Sequence, residues 1–152
     1  MDLSTRLGIP HHDLDSLAFI DDRWTLRSTP DRDVMLASII EEPSFITEGG
    51  FLGWTDLLFS DADHIIWLDP PIWVLVGRHV RRHWRHPRLL PSLLRFQILM
   101  YLRPAGAGPA KDDPNQTRRG IESALRPWAD KVYRAVHATS ADDVIKRLGL
   151  LP

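Results

Sequence analysis

Asp63-His64-Ile65-Ile66-Trp67-Leu68-Asp69-Pro70-Pro71 is the stretch on which the fold of this chain turns. Its apolar run, Ile65 to Leu68, is bounded by charge. It is too short for a buried helix and suits a strand covered on both faces. Proline lacks the donor a ladder needs, so Pro70-Pro71 ends the strand; Pro71 can open a helix. The stretch therefore predicts a buried strand that delivers Asp69 at its carboxyl end, followed by a helix.

Downstream, a helix is expected from Ile72 to about His86, before Pro87. Its apolar stripe is Trp73, Val76, Val80 and Trp84, with Arg78, Arg81, Arg82 and Arg85 on its other faces. Leu89 to Leu102 reads as a second apolar helix. Residues 103–116 hold Pro, Gly and Ala with Asp112-Asp113, and read as a loop. Thr117 to Ala129 is expected to be helical, interrupted at Pro127. Lys131 to His137 reads as the last strand. Thr139 or Ser140 caps a terminal helix, Ala141 to Leu148, which Gly149 ends.

Upstream, Trp54 to Phe59 reads as a short helix. Ser44 to Thr47 is β-prone and stops at Glu48-Gly49-Gly50. A helix is expected from Thr29 to about Glu42, capped by Thr29 or Ser28, on the stripe Val34, Leu36, Ile39 and Ile40. Asp21 to Trp24 reads as a loop, and Ile9 to Asp15 as a short strand. Leu3 to Leu7 reads as the end of a helix stopped by Gly8. Strands thus alternate with helices, which predicts an α/β fold: a three-layer parallel sheet with helices on both faces. Such sheets bind ligands at the carboxyl ends of their strands. Asp13/Asp15, Glu48/Gly49 and Asp69 all fall there.

The 152 residues contain no cysteine. That excludes a disulfide scaffold, a thiolate zinc site and a cysteine nucleophile. With 26% charged and 43% hydrophobic residues, the composition is that of a globular chain, and one domain over residues 1–152 is expected. No apolar run is long enough to span a membrane. The first twenty residues lack the apolar stretch of a signal peptide, so a cytoplasmic location and no membrane partner are expected. No G-x-S-x-G elbow occurs.

The net charge of −1 conceals a separation. Residues 1–69 carry 14 acidic and 4 basic residues; residues 70–152 carry 6 and 15. Either the second half meets an anion, or the two halves attract one another.

Five segments, taken in order, resemble the small P-loop kinase-like proteins, near the adenylate and shikimate kinases and nearest the topology-modulation type. These segments are Leu7–Leu17, Phe45–Phe51, Asp63–Pro71, Arg78–Arg85 and Trp128–Arg134. The resemblance covers the chain except residues 87–116; residues 87–118 would form a lid-like or helical insertion. It implies a P-loop-type fold that binds ATP and Mg2+ and acts on an unknown phosphate acceptor. It makes Asp15, Arg78 and Arg82 catalytic: Asp15 on the acceptor side, the arginines at the transferring phosphate. It places Asp69 at magnesium through water, Arg85 and Arg118 at the nucleotide, and Asp13, Glu48 and Gly49 at the acceptor. Alternative readings remain for each. Asp69 could cap the following helix, the glycines could serve a plain turn, and the arginines could form a solvated face.

The family's defining G-x-x-x-x-G-K-[S/T] is absent. The expectation is an N-terminally truncated form, without the central strand and phosphate loop, from a start assigned too late. A chain without that loop is expected to be inactive as a kinase, since the loop's amides and lysine hold the phosphates. A degenerate remnant and a phosphate-free binding module are the other accounts. Another class of function also fits: a nucleic-acid-binding module along residues 78–95, with Trp84 and Phe96 available to bases. His79, His83 and His86 are spaced for a helix face, but the surrounding arginines repel a cation.

Overall fold

The computed structural model describes residues 3–21, 23–85, 88–103, 117–137 and 141–150. It is a mixed α/β fold whose described strands form two separate two-stranded parallel sheets. The chain divides into two compact units, residues 1–63 with 140–152, and residues 64–139.

The first unit contains α1 (Leu3–Leu7), β1 (His11–Asp13), α2 (Leu14–Ala18), α3 (Thr29–Ile40), β2 (Ile46–Glu48), α4 (Asp56–Asp61) and, from the chain's end, the helix Ala141–Leu148. β1 and β2 pair in parallel, with His11 opposite Ile46 and Asp13 opposite Glu48. A pair of three-residue strands is too short to stand alone. It is held by a core of Leu14, Leu17, Ala18, Leu36, Ile39, Phe51 and Leu58. Burial of each large side chain contributes about 1.5–3 kcal/mol.

Two expectations change here. The first strand stops at Asp13 instead of reaching Asp15, because Asp13 caps a new helix: its Oδ1 accepts the Asp15 N–H at 2.9 Å. On α3, Val34 is exposed while Arg32, Leu36 and Ile39 are buried. Positions 32, 36 and 39 share one helical face, and position 34 lies about 200° from 36. The buried Arg32 lays its guanidinium over the Trp54 ring at 5.0 Å and donates to Thr29 Oγ1 at 3.1 Å.

The second unit contains β3 (Ile65–Leu68), α5 (Ile72–His83), α6 (Leu90–Leu102), α7 (Arg118–Ala124), a 3₁₀ turn (Arg126–Trp128) and β4 (Val132–Ala135). β3 and β4 run parallel, with Ile65 opposite Val132 and Trp67 opposite Arg134. The ladder continues one step beyond β3, where Asp69 N–H donates to Ala135 O at 2.9 Å. α5 packs beside α6, and His79 Nε2 meets Gln97 Oε1 at 3.1 Å. The expected apolar stripe of α5 is not its packed face. Trp73, Val80 and Trp84 are exposed, because the contact with α6 uses the side that carries His79. The helix α8 is Ala141–Leu148 of the first unit. α5 ends at His83, short of the expected His86; the expected caps at Thr139 and Ser140 and most of the loop 103–116 lie outside the described residues.

Candidate functional site

In the second unit, Asp69 is the centre of an ion cluster. β3 places it on the same side as Trp67, two residues earlier, since strand side chains alternate. β4 places Arg134 directly opposite Trp67, and its guanidinium lies over the Trp67 ring at 4.5 Å. From there Arg134 Nε donates to Asp69 Oδ2 at 2.8 Å, and its Nη2 donates to the same oxygen.

The second arginine comes from α7. Thr117, fully buried, caps that helix by accepting the Gly120 N–H at 3.0 Å. The cap fixes Arg118 at the helix start. Its Nε donates to Asp69 Oδ1 at 2.7 Å and its Nη2 to Oδ2 at 2.9 Å. Two parallel bonds of this kind are the geometry a guanidinium makes best with a carboxylate. The bond to Asp69 pushes the pKa of Arg118 above its ordinary value. The Tyr101 ring lies 5.3 Å from the same guanidinium.

Asp69 keeps 5% of its side chain exposed, against 29% for Arg118 and 38% for Arg134. Glu122 also acts on the Arg118 charge, so the two guanidiniums meet one buried carboxylate and have a second nearby, and both arginines keep part of their side chains at the surface. The structure brings two of the nominated residues together, Asp69 and Arg118. Arg134, the third member, was missed. A register reading of β3 against β4 is the signal that could have found it. Asp69 is not the cap of α5. Pro71 occupies that position, without a side-chain bond.

Arg78, Arg82 and Arg85 are exposed on and just after α5. Arg85 lies over the Trp84 ring at 5.2 Å. Arg78 and Arg82 stand one turn apart, as expected from their spacing.

In the first unit, Asp13 and Glu48 face one another across the β1–β2 pair. Gly49 follows at φ +151°, and a Cβ there would fall 2.7 Å from Leu14 Cβ. This glycine serves a close approach to α2, beside any role at a ligand. Asp15 stands in the first turn of α2. It lines an open concavity of about 530 Å³ with Ser16, Phe19, Ile20, Asp21, Trp24 and Arg27. The partial removal of water by these walls raises the pKa of Asp15, and the Asp13 charge adds to it.

Among the described residues, no three of His, Asp and Glu converge as a metal site. No helix is long and apolar enough to cross a membrane. No protein-family model, curated protein or solved structure matches this chain.

Proposed function

We propose that this chain is the acceptor- and lid-side portion of a P-loop kinase-like domain, which transfers the γ-phosphoryl of ATP to a small acceptor. The observation that carries this reading is the Asp69–Arg118–Arg134 cluster. A positively charged, prearranged pair of guanidiniums stands at the carboxyl end of a parallel strand, where such folds bind nucleotide phosphates.

In this reading Arg118 and Arg134 meet phosphate oxygens, with Arg85 also on the nucleotide side. Arg78 and Arg82 neutralise charge that develops on the transferring group. Asp15 takes the proton of the acceptor hydroxyl, and its raised pKa suits a base. Asp13, Glu48 and Gly49 border the acceptor. Magnesium accompanies ATP in such reactions. Both oxygens of Asp69 already accept guanidinium N–H groups, so a hydrated magnesium ion does not fit against this carboxylate as it stands. No step is assigned to magnesium at Asp69.

Phosphoryl transfer needs a phosphate loop, and the 152 residues contain no G-x-x-x-x-G-K-[S/T]. The test is calorimetry of the native protein with ATP and magnesium. Binding of ATP is the expected result, and no binding overturns the reading.

A second reading, a nucleic-acid-binding surface, is favoured by one observation: Trp73, Trp84 and Phe96 are exposed beside Arg78, Arg81, Arg82, Arg85 and Arg95. Exposed aromatics can stack on bases while arginines meet phosphates. Its test is the salt dependence of single-stranded DNA and RNA binding. Release of counterions predicts a steep fall in affinity with salt. An absence of binding at low salt removes this reading.

A further inference from the structure

The concavity in the first unit has a chemistry of its own. Of its charged walls, Arg27 and Asp21 are engaged, and Asp15 presents an open carboxylate among the described residues. Arg27 spends its Nε on Leu17 O at 3.0 Å, and its Nη2 on Phe19 O at 3.4 Å and Ser16 O at 3.5 Å. Asp21 accepts the N–H groups of Arg23 and Thr25, each at 3.0 Å, and the Thr25 hydroxyl at 2.9 Å. The Asp15 carboxylate has no partner among the described residues.

The apolar wall is equally specific. Trp24 adopts φ 62°, the one described non-glycine residue with a positive φ. That conformation is unfavourable for a bulky side chain. It is imposed by the turn that Asp21 organises, in which Trp24 N–H donates to Asp21 O at 3.2 Å. The edge-on contact with Phe19, at 5.0 Å and 82°, fixes the indole further. The side chain is nevertheless exposed, 66% for the residue. A strained backbone that holds an aromatic ring out to solvent, over a concavity, is how recognition surfaces are built. The volume, about 530 Å³, lies within the ordinary range for small-molecule sites.

We infer that this concavity binds a flat aromatic or heteroaromatic ring, stacked on Trp24, whose hydroxyl or amino group donates a hydrogen bond to Asp15. Phe19 and Ile20 cover the ring's edge. Asp15 and Asp21 outnumber Arg27 on the walls, with Asp13 behind, so the ring is neutral or cationic and an anionic ring is rejected. That the ring is a phosphoryl acceptor rests on the phosphoryl-transfer reading; its binding does not.

The experiment titrates tyramine, adenosine, 4-hydroxybenzoate and cyclohexylamine into the full chain, without nucleotide. The Trp24 indole N–H resonance is followed by NMR, with its assignment taken from Trp24→Phe. Tyramine or adenosine is expected to shift that resonance saturably. The anionic 4-hydroxybenzoate is expected to bind at least tenfold more weakly than tyramine, and Asp15→Asn to weaken tyramine or adenosine at least fivefold. Trp24→Gly accepts the positive φ, so it keeps the turn and is expected to lose ring binding, read for this variant from line broadening of the added ring's own resonances, while its circular dichroism is unchanged. The proposal is overturned if neither ring shifts Trp24 at millimolar concentration, if folded Trp24→Gly binds as well, or if cyclohexylamine matches tyramine. Ring binding without phosphoryl transfer by the native form would leave this site standing and remove the kinase reading.

Discussion

In the first unit Asp15 stands two residues beyond the end of β1, and its carboxylate meets no partner among the described residues. In the second, Asp69 follows β3 directly and meets two arginines. Both carboxylates sit at the end of a parallel pair, so position along the strand does not account for the difference. The neighbouring strand does. β2 brings Glu48 opposite Asp13, one acid against another. β4 brings Arg134 opposite Trp67, two residues before Asp69. The charge separation of the sequence, acidic before residue 70 and basic after it, is thereby converted into two environments. One leaves a carboxylate free for an incoming donor; the other closes a carboxylate between two guanidiniums.

The sharpest way to break this contrast is to remove Asp69. Asp69→Ala leaves Arg118 and Arg134 with half their partners gone and a hole behind them. It is expected to destabilise the protein by about 2–4 kcal/mol, read from urea unfolding. The partial exposure of both arginines keeps the loss below the fully buried extreme. Gly49→Ala attacks the other unit. Its Cβ would press on Leu14 in a backbone region that side chains avoid, and a loss of about 1–3 kcal/mol is expected in the same assay. Glu48→Lys relieves the acid pair with Asp13 but removes the contact of Glu48 with His11 Nε2 at 3.7 Å, at an exposed side chain. A change within about 0.5 kcal/mol is expected, shrinking as salt is added.

The smallest effect belongs to Asp15→Asn. Folding raises the pKa of Asp15, so the native state binds its proton more readily than the unfolded chain. The ionised form is therefore a penalty on folding at neutral pH, and it fades as pH falls below the ordinary carboxylate range. Asp15→Asn is expected to raise the unfolding temperature slightly at pH 7, since solvent screens most of the effect at so exposed a carboxylate, and to leave it unchanged at pH 3. A gain that grew on acidification would contradict the raised pKa.

Much of this was legible in the sequence where one cause acts alone. Proline and apolar run set the position of β3 and the start of α5, but not the expected burial: of the strand only Ile65 is buried, and Leu68 is 65% exposed; Thr117 with its downstream helix was visible from residue type. The α2 helix was not, because Asp13 reads equally well as the last residue of a strand and as a cap. The burial of Arg32 in place of Val34 was lost because an arginine is not expected to take a core position; its stack on Trp54 is a tertiary fact. Asp69 and Arg118 were nominated for separate reasons, and a separation of 49 positions hid their meeting. Arg134 required the register of β4. The tryptophan at φ 62° leaves no local mark, since Asp21 to Trp24 reads only as a loop.

The pairing of Trp67 with Arg134 also bears on how the chain reaches its fold. Side chains alternate across a strand, so a slip of β4 by one residue turns Arg134 to the opposite side of the ladder. Asp69 would then be buried with half of its positive neighbours missing. Four-residue strands such as Ile65–Leu68 and Val132–Ala135 have little else to distinguish one alignment from the next. The cluster thus acts as a proofreading step during assembly: only the correct alignment lets the carboxylate enter the interior with its charge answered.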